Sequence, residues 1–399
     1  MKQVLLGDAL ELLLDHRGKT PKKLGADFTP TGVPVVSAQL VAHGVLDLAE
    51  ARTVSAATFE KWMPVPLAEG DVLLTSEAPL GRVARVSNGE PLVLGQRLFA
   101  LRGKRGVLDS RYLFYYLQTE TAQGELFARS TGSTVVGIRQ SALRMIPINL
   151  PDIHEQQAIA EVLGALDDKI AANTNLARTA DGLASALFRQ TVAGLEFSDQ
   201  TFADVAYVSG GGTPKTSVAE YWGGDILWAT PTDVTGLEGP YLFDTGRHIT
   251  SLGLENCASR LYPSESILMT SRATIGAFAL AEQPVAVNQG FIVVRARDDV
   301  LNLWLFHEMR DRTDEFLSHA NGATFLELSR GRFKQLPVRV PEPAVARRFD
   351  GEARSLHNAS ARLFQENRTL AALRDTLLPQ LMSGKLRVRD AERAVGEAL

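Results

Sequence analysis

The sequence predicts an α/β protein of the mixed α+β kind: two pseudo-symmetric units separated by two long antiparallel helices that form a coiled-coil-like spacer. Three observations predict it. The chain carries one set of motifs twice in the same order, each copy switches from strand-like runs to a heptad pattern after a proline cluster, and each heptad stretch ends on a glycine.

The duplication is read from fixed offsets. RQSALRMIPINLP (Arg139 to Pro151) aligns with SRGRFKQLPVRVP (Ser329 to Pro341) at an offset of 190. The same offset pairs Gly132 and Thr134 with Gly322 and Thr324, and Gly194 with Gly384. Nearer the N-terminus, Thr20-Pro21 and Gln96 pair with Thr213-Pro214 and Gln289 at 193, and Ser76 of LLTS pairs with Ser271 of LMTS at 195. Small insertions explain the drift.

Each copy opens with short β-prone runs bounded by turn residues: VPVVSAQ, DVLLTS and LVLGQRLFALRG, then DILWATP, SILMTS and VAVNQGFIVVRA. Helical runs near YLFYYLQTE and NLWLFHEMRDRTDEFLS make each unit mixed. Pro147 and Pro151, then Pro337, Pro341 and Pro343, close the units, because proline fits neither sheet nor helix interiors.

Beyond the prolines the period becomes helical. Ile159, Leu163, Leu166, Ile170, Asn173, Ala177, Ala180, Ala184 and Leu187 alternate spacings of four and three, as the a and d positions of a heptad do. Phe349, Ala353, Leu356, Ser360, Leu363, Asn367, Leu370, Leu377 and Leu381 repeat the pattern, broken once by Arg374. Helices of about 35 to 40 residues would each be on the order of 55 Å long. Neither buries its stripe alone, so they are expected to pair. Asn173 and Asn367 read as equivalent seam positions, where a buried polar pair would fix register unless the seam is wet. The expected division is a first unit over 1–150, a spacer helix over 151–195, a second unit over 196–340, a second spacer helix over 341–385 and a C-terminal tail over 386–399.

Composition narrows the class. With 45% hydrophobic and 22% charged residues the chain is globular. No apolar run approaches the roughly 20 residues that cross a bilayer and no cleavable leader pattern opens the chain, so it is expected in the cytoplasm. Cys257 is the single cysteine, which excludes an internal disulfide and a thiolate metal cluster. A net charge of −4 argues against indiscriminate polyanion binding, yet bases bunch at Arg17 to Lys23, Arg97 to Arg105 and Arg330 to Arg339.

Catalytic constellations are not found. Gly18-Lys19-Thr20 ends like a phosphate loop, but Leu13 stands where its first glycine must be. The seven histidines show no metal-ligand spacing, no nucleophile elbow occurs, and Asp167-Asp168-Lys169 falls on the spacer helix. No Pro-Pro dipeptide exists, which removes the adenine-methylation motif. No catalytic residue and no metal ligand is expected.

GGGTPKTSVAEYWGGDILWATPTDV (Gly210 to Val234) and MTSRATIGAFALAEQPVAVNQGF (Met269 to Phe291) resemble the target-recognition domain of type I restriction-modification specificity subunits. LPDIHEQQAIAEVLGALDDKIAANTNLA (Leu150 to Ala177) is similar to that family's spacer region. The first copy departs from the pattern: GKTPKK replaces the Gly-Gly-Thr-Pro element, and SEAPLGRVA carries Glu77 where SRATIGAFA carries Arg272.

The resemblance implies a non-catalytic subunit whose two domains each read half of a bipartite target in double-stranded DNA while the helices fix the gap. It implies two methylation subunits, which hold S-adenosylmethionine and methylate adenine N6, and restriction subunits that cleave. No cofactor is expected on this chain. Arg and Lys match guanine O6 and N7, and Asn or Gln matches adenine. The candidate DNA-binding residues are Lys19, Lys22, Lys23, Arg82, Gln96, Arg97, Arg139 and Gln140 in the first copy. In the second they are Thr213, Lys215, Arg272, Thr274, Gln289, Arg330, Arg332 and Lys334. Tyr221, Trp222 and Trp228 are read as packing residues. A duplicated helical scaffold or adaptor without sequence specificity is the alternative these residues leave open.

Overall fold

A computed structural model describes residues 2–42, 44–87, 89–322 and 326–398. Of the repeat motifs, Thr324 lies outside the described residues. The contacts divide the chain into two compact units, one holding the residues up to Lys169 together with those from Leu370 on, the other Ile170–Thr369.

The first unit is built on a four-stranded antiparallel sheet in the order Leu10–Asp15, Leu98–Gly103, Val72–Thr75, Val83–Arg85. Val72–Thr75 is buried at every position, which is why its sequence is a continuous apolar run rather than an alternation. Beside it lies a small sheet in the order Thr53–Val54, Val33–Val36, Val93–Leu94, the first pair antiparallel and the second parallel. Trp62, Val36, Leu73 and Leu94 are at the centre of the core, each large side chain contributing about 1.5–3 kcal/mol through burial.

The second unit repeats that plan. Ala206–Ser209, Phe291–Ala296, Ile267–Arg272 and Thr274–Ala281 follow one another in the same order and sense, with Tyr241–Leu242 added in parallel at the edge. Its small sheet, His248–Ile249, Trp222–Ala229 and Val285–Val287, again joins one antiparallel and one parallel pair. The duplication read from offsets is thus a duplication of topology. Short helices Gln140–Arg144 and Arg330–Lys334 occupy matching positions in the two copies. Trp304, Phe306, Phe316 and Phe333 fill the second core.

The heptad stretches fold as 40-residue helices, Ile153–Val192 and Pro343–Met382. Gly194 (φ 79°) and Gly384 (φ 71°) end them in the left-handed conformation that glycine takes without a Cβ clash. Their pairing is antiparallel. In the second unit Ser360 Oγ donates to the Ala177 carbonyl (3.0 Å), and Asn367 Nδ2 donates to the Ile170 carbonyl (3.2 Å) and to Thr174 Oγ1 (2.9 Å). In the first unit Arg374 donates to Asp167 (2.8 Å), so the one break in the second heptad is an ion pair; Asp167 also accepts from the Tyr115 hydroxyl (2.6 Å).

One seam expectation needs correction. Asn173 and Asn367 are both buried, at 4% and 7% exposure, but they are not repeat equivalents. At the helical offset of 190 the counterpart of Asn367 is Ala177, and Leu363 is that of Asn173. Asn173 Nδ2 and Asn367 Oδ1 have no hydrogen-bond partner among the described residues, so the polar stretch of the seam is only partly satisfied.

Candidate nucleic-acid interface

The second copy presents its polar residues where strands turn. Ile267–Arg272 is buried at five positions and emerges only at Arg272, after which Ala273 takes a left-handed φ of 58° and returns the chain as Thr274–Ala281. Arg272 and Thr274 face each other in register across this turn. The exposed Arg272 guanidinium pairs with Glu327 at 2.8 Å. Next to it, Ser271 N–H donates to the Gly290 carbonyl (2.8 Å), and the preceding residue, Gln289, accepts from the Thr213 hydroxyl (2.7 Å).

Thr213 is held by the glycines before it. A Cβ at Gly211 would fall on the Val287 carbonyl oxygen, and one at Gly212 would lie 2.9 Å from the Ala258 Cβ. Gly210-Gly211-Gly212 therefore serves close backbone approach rather than an anion cradle. Lys215 is exposed, and its carbonyl accepts from Trp222 Nε1 (3.3 Å). Trp228 is buried edge-on against Trp222, 5.0 Å between ring centres, with its Nε1 donating to the Gly212 carbonyl (3.1 Å).

Arg330, Arg332 and Lys334 are exposed on the short helix capped by Ser329. Arg330 and Lys334 line a cavity of about 870 Å³ beside Gly210, whose other charged lining residues, Arg260, Arg295 and Arg297, are also cationic. Tyr262 also lines it, donating to the Gly210 carbonyl (2.5 Å); burial raises its hydroxyl pKa, keeping it a proton donor.

The first copy has the corresponding turn. Ser76 N–H donates to the Arg97 carbonyl (2.9 Å), Ala78 takes a φ of 51°, and Arg97, itself left-handed at 64°, pairs with Glu77 at 3.2 Å. Gln96 Nε2 donates to the Lys19 carbonyl (3.1 Å). Lys19 is half-buried, and its ammonium donates to the Trp62 carbonyl (2.9 Å), so this lysine braces the loop. Beside it, burial and the Lys19 charge lower the His16 pKa. Lys22 and Lys23 are exposed on the adjoining turn of 3-10 helix, and Arg139 is exposed at the start of Gln140–Arg144, whose first residue is half-buried. Arg82 is exposed, with its guanidinium 3.4 Å from the Val41 carbonyl.

The sequence profile of the type I restriction modification DNA specificity domain matches residues 1–179 and again 196–345. The chain belongs to that family. Among relatives, the type I restriction enzyme MjaIX specificity subunit of Methanocaldococcus jannaschii is 39% identical over 35% of this chain and 33% of its own length. The type I restriction enzyme HindI specificity subunit of Haemophilus influenzae is 21% identical over 80% of this chain and 87% of its own. The crystal structure of the type I restriction-modification system S subunit from M. genitalium shares the fold, with a TM-score of 0.59 over 95% of each chain at 16% identity.

Guanidinium and amide groups are the side-chain types whose donors and acceptors match base edges, and each copy exposes both kinds at its strand ends. In each copy the glutamine, the arginine and the serine-ended strand meet at one corner. Glu77 and Glu327 complete these corners as ion-pair partners and are not among the candidate residues. The sequence signals for them are the alignment of Glu77 with Arg272 at 195 and of Gly137 with Glu327 at 190.

Proposed function

We propose that residues 1–150 and 196–340 each read one half of a bipartite target in double-stranded DNA. The antiparallel helices 151–195 and 341–385 set the unspecific gap between the halves. In this reading the chain works in the cytoplasm, binds two methylation subunits that use S-adenosylmethionine to methylate adenine N6, and recruits restriction subunits that cleave. The chain itself holds no cofactor.

The observation that carries the reading is the duplicated corner. Two domains of one topology, in a member of the DNA specificity family, each expose arginine and glutamine at the same sheet end. In the second copy the contacts to bases and phosphates fall to Thr213, Lys215, Arg272, Thr274, Gln289, Arg330, Arg332 and Lys334. In the first they fall to Lys19, Lys22, Lys23, Arg82, Gln96, Arg97, Arg139 and Gln140. The partner subunits would supply much of the phosphate clamp, which explains how a chain of net charge −4 takes part in DNA binding.

The test is electrophoretic retardation of duplex DNA by the chain with its methylation subunit. Retardation lost when either half-site is scrambled supports the reading. Sequence-blind retardation contradicts it and favours a scaffold.

A further inference from the structure

Three backbone places define the reading corner of each copy. One follows the serine that ends the strand, at Glu77 and Arg272. A second is the residue whose carbonyl accepts from that serine's N–H, at Arg97 and Gly290. The third precedes the residue whose N–H donates to the serine carbonyl: Ile138 donates to Ser76 (2.9 Å) and Leu328 to Ser271 (3.0 Å), which puts Gly137 and Glu327 there. Both third residues sit in matching bridges, Gly137 with Thr131 and Glu327 with Asn321.

In that order the first copy carries Glu, Arg, Gly and the second carries Arg, Gly, Glu. The same three residue types are rotated by one place around an unchanged backbone. Each copy therefore keeps one exposed ion pair, Glu77 with Arg97 and Arg272 with Glu327, but assembles it from different positions. The glycines fit this exchange. A Cβ at Gly137 would lie 2.9 Å from the Glu77 Cβ, and one at Gly290 would lie 2.8 Å from Pro231 Cγ.

An ion pair with half-exposed partners adds little to stability, so stability gives no reason to keep it through such a rotation. A guanidinium held by a carboxylate is oriented and restrained from swinging to a phosphate, while its remaining N–H donors stay free for guanine O6 and N7. Resting on the DNA-reading role proposed above, we propose that Arg97 and Arg272 are the guanine-reading side chains of their domains, with Glu77 and Glu327 as their positioning residues. Because the arginine stands at different backbone places, the two domains read guanine at different positions of their half-sites.

The test is methylome sequencing of a host expressing the full chain with its methylation subunit, comparing wild type with R97A, R272A and E327Q. R272A should relax one guanine position in one half-site, with discrimination falling about 5- to 150-fold, and leave the other half-site unchanged. R97A should do the converse. E327Q should weaken the same guanine preference as R272A without moving the melting temperature, and E327D should restore it. Selective methylation with an unchanged motif in R97A and R272A overturns the assignment alone. Unselective methylation by the wild type overturns the DNA-reading role as well.

Discussion

The Nε2 atoms of His307 and His357 lie 2.9 Å apart in the core of the second unit, both rings buried. His357 Nδ1 faces the Tyr241 hydroxyl at 2.8 Å, and His307 Nδ1 lies 3.5 Å from Ser185 Oγ. Burial raises the Tyr241 pKa, so its hydroxyl stays protonated beside His357 Nδ1. Between the two Nε2 atoms one neutral ring donates and the other accepts, so the tautomers of the two rings are linked, and the chain of neutral groups joins this sheet edge to a spacer helix.

Acid should break this chain. Burial lowers the pKa of His357 from 6.5 to about 4 and that of His307 to about 2, the second also through repulsion from His357. The unfolded chain then binds more protons than the folded one below pH 6.5. Stability is complete above that pH and falls as pH drops, through about 4 for His357 and on toward 2 for His307, by on the order of 1 kcal/mol per pH unit for each ring. Urea midpoints between pH 7 and 4.5 should fall less steeply for H307Q/H357Q than for wild type. Parallel curves would show that the pair does not govern the acid limb.

Glu308 is fully buried and holds two arginines, Arg312 at 3.0 Å and Arg339 at 2.9 Å. Removing it takes the buried carboxylate from two guanidinium groups at 4% and 16% exposure, which keep Glu315 (2.8 Å) and Asp311 (3.0 Å) as their other partners. E308A should therefore lower unfolding free energy by about 1–3 kcal/mol, measured by denaturant titration. A loss below about 1 kcal/mol would mean that solvent reaches the arginines.

Gly211 leaves no room for a side chain against the Val287 carbonyl. G211A should destabilise the second unit by about 1–3 kcal/mol and displace Thr213 from Gln289. Limited proteolysis should show earlier cleavage in Ile170–Thr369 than elsewhere.

The spacer prediction follows from the register of the helix pair. Ala177 and Ser360 are opposite each other, so inserting seven residues after each keeps the seam in phase. The half-sites should stay unchanged while the gap changes by up to about 10 Å, or about three base pairs. An altered half-site with an unchanged gap, read from the methylation motif, would refute the spacer role.

The sequence carried the repeat, the heptads and the stops at Gly194 and Gly384, because periodicity and glycine are local signals. It also carried the exposed corner residues, since Gln96 and Gln289 align by offset. It did not carry the His307–His357 contact or the Glu308 cluster, which join residues far apart in the chain through tertiary packing. Lys19 reads as a DNA contact from its residue type and its place beside Gly18. Its ammonium reaches the Trp62 carbonyl, a partner 43 residues away that no local pattern announces. The rotated corner is hidden for another reason: each triad comes from three separated segments, united by the bridges at Gly137 and Glu327 and by the Ser76 and Ser271 N–H bonds.

The central claim is that one chain reads two separate half-sites. Methylome sequencing of a host expressing this chain with its methylation subunit tests it most directly. The account predicts methylated adenines in one bipartite motif with a fixed gap, absent when the chain is omitted. A continuous motif, or methylation that is the same without the chain, would contradict it.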